Sequence, residues 1–140
     1  MPPMRAFAAG LAVVAALLTT FVASAGASRA PSNRERTALT NAVHGSSVGG
    51  INRIPRSRYR VTDQRVSSVS SSWATAQLVA APAARSTFQN VAVVAVRPAG
   101  TQRWVVVDLG SAEVGCGIAP NKVLADLFNT KRPCALGGIG

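Results

Sequence analysis

Apolar residues recur at helical spacing near the two ends of the mature chain and at strand spacing between them, which predicts the order helix, four strands, helix. Ser32-Asn33-Arg34-Glu35 reads as a capping box: the Ser32 hydroxyl accepts from the Glu35 amide, and the Glu35 carboxylate reaches back to the Ser32 amide. Ala38, Leu39, Ala42 and Val43 then share one helical face, and the glycines and serines of 45–50 end the segment. Over 58–67, Tyr59 and Val61 alternate with Arg58, Arg60 and Thr62 as in a half-buried strand. Val66 is out of step, and a bulge near Asp63 or Gln64 would turn it inward. A serine-rich turn at 67–72 leads to a second strand over 73–80, with Ala74, Ala76 and Leu78 on one face. Residues 88–97 are almost continuously apolar, the pattern of a central strand covered on both faces. Pro98-Ala99-Gly100-Thr101 supplies turn chemistry, and a fourth strand over 104–109 returns antiparallel to the third. Pro120 suits the first turn of a helix running to Phe128, since its missing amide proton costs nothing there. In that helix Val123, Leu124, Leu127 and Phe128 share the inner face, and Lys122 and Asp126 point away.

These elements predict an α+β fold: an N-terminal helix, a four-stranded antiparallel sheet and a C-terminal helix, with the helices packed on one face. The shape is that of cystatin-like or nuclear-transport-factor-like topologies, an analogy that says nothing of activity. Trp73 and Trp104 each begin a strand amid alternating apolar residues, so at least one of them is expected to be mostly buried.

The first residues bear on the compartment. Arg5 precedes an apolar stretch over 6–22, and Ala23-Ser24-Ala25 and Ala25-Gly26-Ala27 offer small-x-small cleavage sites. An uncleaved membrane anchor is the rival reading, because the stretch approaches the roughly 17 to 25 residues that span a bilayer. Small residues after the run and the lack of a closing basic cluster favour a signal peptide over 1–27. The exported chain, 28–140, is then one domain of 113 residues, 140 less 27, with a glycine-rich tail over 135–140 expected to be mobile. Cys116 and Cys134 are the only cysteines, and in an oxidising space their pairing is the default. No Cys-x-x-Cys spacing supports a redox pair, and two sulfurs with one distant His44 make no zinc set.

Removing Arg5 from the 15 basic residues leaves 14 against 5 acidic ones, a formal charge of +9. Such a charge favours polyanions and acidic surfaces, including an anionic cell-envelope polymer. Arg outnumbers Lys thirteen to two beside abundant Ala, so a GC-rich coding bias accounts for the same excess without selection for binding.

One cadence resembles known proteins: Trp73-Ala74, then Trp104-Val105-Val106-Val107-Asp108-Leu109-Gly110, Val114-Gly115-Cys116, Pro120, Val123, Asp126-Leu127 and Cys134. It is similar to a group of uncharacterised small exported proteins of high-GC Gram-positive bacteria, over residues 60–134. The resemblance implies the fold and the disulfide, and no activity. The chain departs from the group's pattern in its longer tail after Cys134.

The densest charge feature is Arg53, Arg56, Arg58, Arg60 and Arg65 around Tyr59. Arginine forks grip phosphate or sulfate oxygens in pairs, and alternate strand positions would display Arg58 and Arg60 side by side. The competing reading is a solvated edge strand protected by charge. No nucleic-acid motif accompanies the cluster. Catalytic candidates are sparse. His44 lies near Ser46 and Ser47, but proximity in a loop is not a triad, and an exposed loop histidine is the commoner case. Asp108 and Glu113 are the only neighbouring acids; Asp108 is expected to accept hydrogen bonds at a strand end and Glu113 to be solvated. Neither a cofactor nor a metal site is predicted. The function classes that remain are a non-enzymatic binding module, a secreted protein-binding or inhibitor module that presents the loop over 111–119, and a small hydrolase around His44. Intact-mass measurement of exported protein is expected to give a chain beginning at Ser28, lighter than the dithiol form by about two hydrogens.

Overall fold

The structure is a computed structural model that describes residues 27–135; the expected leader up to residue 26 and the tail beyond Ala135 lie outside the described residues. The order is helix α1 (Asn33–Gly45), strands β1 (Tyr59–Val66), β2 (Trp73–Ala80), β3 (Val91–Val96) and β4 (Val105–Gly110), and helix α2 (Asn121–Leu127). The four strands form one antiparallel meander in sequence order. This is the expected α+β arrangement, with Cys116 and Cys134 joined in a disulfide.

The local signals act as the sequence suggested. The Ser32 and Glu35 capping box is formed, and Arg29 adds two hydrogen bonds to the Glu35 carboxylate at 2.8 and 2.7 Å. Arg29 holds Glu35 down to about 2 from its ordinary 4.5, with burial opposing and the Ser32 amide assisting. The β1 bulge falls between Thr62 and Arg65, where Asp63 takes the left-handed conformation at φ 46. It turns Val66 fully into the core. Beyond the bulge, Arg29 pairs with Val66 through two backbone hydrogen bonds and shields the end of that edge.

The helices do not share a face of the sheet. Leu39 and Val43 of α1 pack with Ala74, Ala76, Leu78, Val93, Ala95 and Val106. Val94, with Trp73 and Ala92 beside it, packs instead with Leu124 of α2 and with Val114 and Ala119 before it. Successive strand residues point to opposite faces, so the two clusters lie on opposite sides of the sheet. Val93, Val94 and Ala95 are all fully buried. The expectation that both helices pack on one face is therefore corrected, while the reading of β3 as covered on both faces holds: its continuous apolar run needs a layer on each side. Trp104 is buried at 5% exposure, and Trp73 is half-buried.

Asp126 also departs from expectation. It is buried at 4% exposure, and its Oδ2 accepts from the Ser67 hydroxyl at 2.7 Å and the Ser68 amide at 2.8 Å. Its Oδ1 accepts from the Ser68 hydroxyl at 2.9 Å. Burial disfavours this charge, but the bonds from Ser67 and Ser68 outweigh it and hold the carboxyl below its ordinary range. A seven-residue helix is too short to stand alone, and two ties hold this one. One is Asp126 on the β1–β2 turn; the other is the disulfide, with a Cα–Cα distance of 5.8 Å. Closing that short loop contributes about 3 kcal/mol in the chain-entropy account. Gly115, at φ +83, lets the loop press on the sheet; a Cβ there would lie 2.8 Å from Leu124 and 3.2 Å from Val94.

Asp126→Ala leaves the Ser67 hydroxyl and Ser68 amide without their acceptor. Urea unfolding of the disulfide-intact protein is expected to show a loss of about 3 kcal/mol, against about 1 kcal/mol for Ser68→Ala.

Candidate functional site

The register places the arginines. Tyr59 faces Ala80 and Val61 faces Leu78, so both lie on the α1 side of the sheet, while Arg60 and Thr62 point to the other. Tyr59 is 3% exposed and stacks on Phe88 with ring centroids 5.8 Å apart. It belongs to the core and is no part of an arginine-bearing surface. Arg53, Arg56, Arg58 and Arg60 are exposed. Arg56 and Arg58 occupy a 3-10 turn, Arg56–Arg58, just before β1, so Arg58 and Arg60 are not neighbours along one strand face. The Arg58 guanidinium donates to the Thr87 hydroxyl, and its carbonyl accepts from the Ala81 amide at 2.9 Å. These bonds bring the β2–β3 connection, with exposed Arg85, to the same end of the sheet. Sequence spacing could not show Arg85 there, because the contact depends on strand pairing. Arg65 is tied elsewhere: Nε donates to the Ser28 hydroxyl at 3.1 Å and Nη2 to the Ser28 carbonyl at 2.6 Å. Among the described residues the ion pair is Arg29 with Glu35, so none of the arginines at this end meets an acid.

His44 lies in the last turn of α1, half-buried, rather than in a loop. Its Nδ1 is 2.8 Å from the Tyr59 hydroxyl. Burial, with a smaller contribution from the charge of Arg56, lowers the His44 pKa from its ordinary 6.5. Burial raises that of Tyr59 against the pull of Arg56. The Ser46 hydroxyl accepts from the Val48 amide at 3.1 Å and so is engaged in shaping the helix end. The pair His44 and Tyr59 fastens the end of α1 to the start of β1.

Asp108 behaves as a strand-end acceptor, taking the amides of Leu109 at 2.8 Å and Gly115 at 2.6 Å. Glu113 accepts from the Ala135 amide at 2.9 Å. Both carboxylates shape the loop over 111–119, in which Val114 and Ala119 are buried and Ile118 is 44% exposed. Among the described residues, no group of three or more His, Cys, Asp or Glu side chains is placed to hold a metal ion. Nor is any helix there long and apolar enough to cross a membrane.

A concavity not foreseen from sequence lies on the α2 side of the sheet. The register aligns Thr62, Gln77, Ala92 and Gly110 in one row across the four strands. Short α2 covers the neighbouring row at Thr75 and Val94 and leaves this one open. The result is a cleft of about 320 Å³ with Gln77, Asn90 and Ala92 on its floor and Phe128, Thr130 and Arg132 on its wall. A second hollow of about 310 Å³ adjoins it, sharing Arg132 and Pro133 and adding Lys122 and Lys131.

No family model matches this chain, and neither a curated protein nor a solved structure matches it. The fold and the surfaces therefore stand on their own geometry.

The lowered pKa of His44 fixes a sign. A folded pKa below the unfolded one means that the unfolded chain binds the proton more readily. The stability that the neutral ring contributes is full above 6.5 and lost as the pH falls below it. Proton NMR of the ring is expected to give a midpoint below 6.5, and His44→Phe should flatten the loss of stability between pH 7 and 5.

Proposed function

We propose that this chain is an exported, non-enzymatic module that binds a polyanion at or near the cell envelope, through guanidinium groups at the Arg53 to Arg60 end of the sheet. The supporting observation is that Arg53, Arg56 and Arg60 are exposed and face no acid among the described residues. Arg58 and Arg85 extend the same end across the β2–β3 connection. Tyr59 is buried, and Arg65, though exposed, stands at the other end of β1, bound to Ser28, so neither belongs to the proposed surface. An unpaired guanidinium cluster attracts sulfate or phosphate oxygens by charge-assisted hydrogen bonds, and binding releases counterions. Export agrees with the leader-like first residues and with the disulfide.

Edge protection does not explain these side chains as well. The bulge at Asp63 and the Arg29 bridge already interrupt the free edge of β1. Arg53 and Arg56 precede the strand altogether.

The test uses dextran sulfate, a polyanion without carboxylates, titrated over a range of salt concentrations. Affinity is expected to fall steeply with salt, and changing Arg53, Arg56 and Arg60 to Ser should make the log–log slope shallower by roughly two to three. Tyr59→Phe should leave the slope unchanged. An unaltered slope in the triple variant defeats the proposal.

A further inference from the structure

The open row of the sheet and the hollow beside it adjoin at Arg132 and Pro133, which line both, and the two together are called the groove. Its two halves differ in chemistry. On the sheet side, half-buried Gln77 and Thr130 line the cleft with Phe128, and the Thr130 hydroxyl, which accepts the Arg132 amide at 3.4 Å, keeps its proton to donate. Asn90 uses its Oδ1 to accept the Ala80 amide at 2.9 Å, which leaves its NH2 to donate. Neutral groups that both donate and accept, set beside an aromatic ring, complement a sugar, whose hydroxyls alternate with apolar C–H faces.

On the other side, Lys122, Lys131 and Arg132 are exposed, and none forms an ion pair among the described residues. The nearest acid in sequence, Asp126, is buried and spends its oxygens on Ser67 and Ser68. Glu113 also lines the first cleft, with Oε1 engaged by the Ala135 amide. Three cations line the second hollow, which draws an acidic group on a ligand to it. Arg132 belongs to both hollows and can meet a carboxylate with two parallel N–H donors.

We propose that this groove holds a carboxylate-bearing saccharide, its acid on Arg132 with Lys131 and Lys122 beside it and its hydroxyls on Gln77, Asn90 and Thr130. The site lies across the sheet from α1, on the face to which Arg60 also points one row away, and requires a defined sugar rather than charge alone.

The experiment titrates the disulfide-intact chain with trigalacturonate and with its fully methyl-esterified form, which keeps the sugar and removes the charge. Binding is read from NMR shifts of the Gln77 and Asn90 side-chain amides and the Arg132 Nε–H. Trigalacturonate is expected to shift all three, and the ester to bind about tenfold or more weakly. Arg132→Ala, at an exposed position, should weaken the acid about tenfold and leave the weak binding of the ester as it was. Gln77→Ala should weaken both ligands, and a double serine variant at Arg53 and Arg56, which precede the strand, should weaken neither. Equal affinity for acid and ester overturns the proposal. So does an unaffected Arg132→Ala variant, or shifts confined to the Arg53 to Arg60 end.

Discussion

The structure depends on burying both faces of one strand. Val93, Val94 and Ala95 of β3 are fully buried, yet neighbouring side chains on a strand point in opposite directions. Water must therefore be removed from both sides of the sheet. Helix α1 supplies Leu39 and Val43 to one side; Val114, Ala119 and Leu124 supply the other. The two covers are unequal. Helix α1 has thirteen residues and its own capping box, whereas α2 has seven and no side-chain cap. The smaller cover needs Asp126 and the disulfide to stay in place, and it leaves a row of the sheet exposed.

The charges divide by the work they do. Arg29 pairs with Glu35, and Arg65 clasps Ser28, which joins the segment before α1 to β1. Arg97 lies over Trp104 at 5.0 Å and donates to the Ser71 carbonyl, bracing the β3–β4 hairpin against the serine turn. These arginines are structural. Those at the start of β1 have no comparable partners, apart from Arg58 with Thr87. A genomic bias toward arginine explains how many there are, and exposed arginines without an ion pair also stand elsewhere among the described residues, at Arg34, Arg36, Arg103 and Arg132.

Features that depend on near neighbours in the chain were legible in the sequence. The capping box needs only Ser32 and Glu35, and the bulge needs only Val66 out of step with Tyr59 and Val61. The disulfide needed only an even count and a compartment. Features that depend on distant pairing were less legible. The apolar run of β3 pointed to two covered faces, but it did not say which helix covered which. Asp126 read as exposed because a carboxylate on a short helix usually is; only the strand register brings Ser67 and Ser68 to it. Tyr59 sits among arginines in the sequence, and the two-residue period of the strand still separates it from Arg58 and Arg60. The groove could not be read at all, since it exists where a helix stops short.

The two proposed surfaces make different physical demands. At the start of β1 the guanidinium groups stand on 3-10 turns and an edge strand, where solvent screens them and several geometries serve equally well. Such an arrangement favours a repeating polymer, which gains from the number of contacts rather than from the fit of any one. In the groove, the Asn90 side chain is fixed by the Ala80 amide, Gln77 stands on the sheet, and the wall is held by the disulfide. Fixed donors beside a ring select by shape, and less entropy is lost when the ligand is held. One module with both surfaces would stay on an anionic polymer through the first and distinguish one sugar within it through the second, because both face outward from the same small sheet.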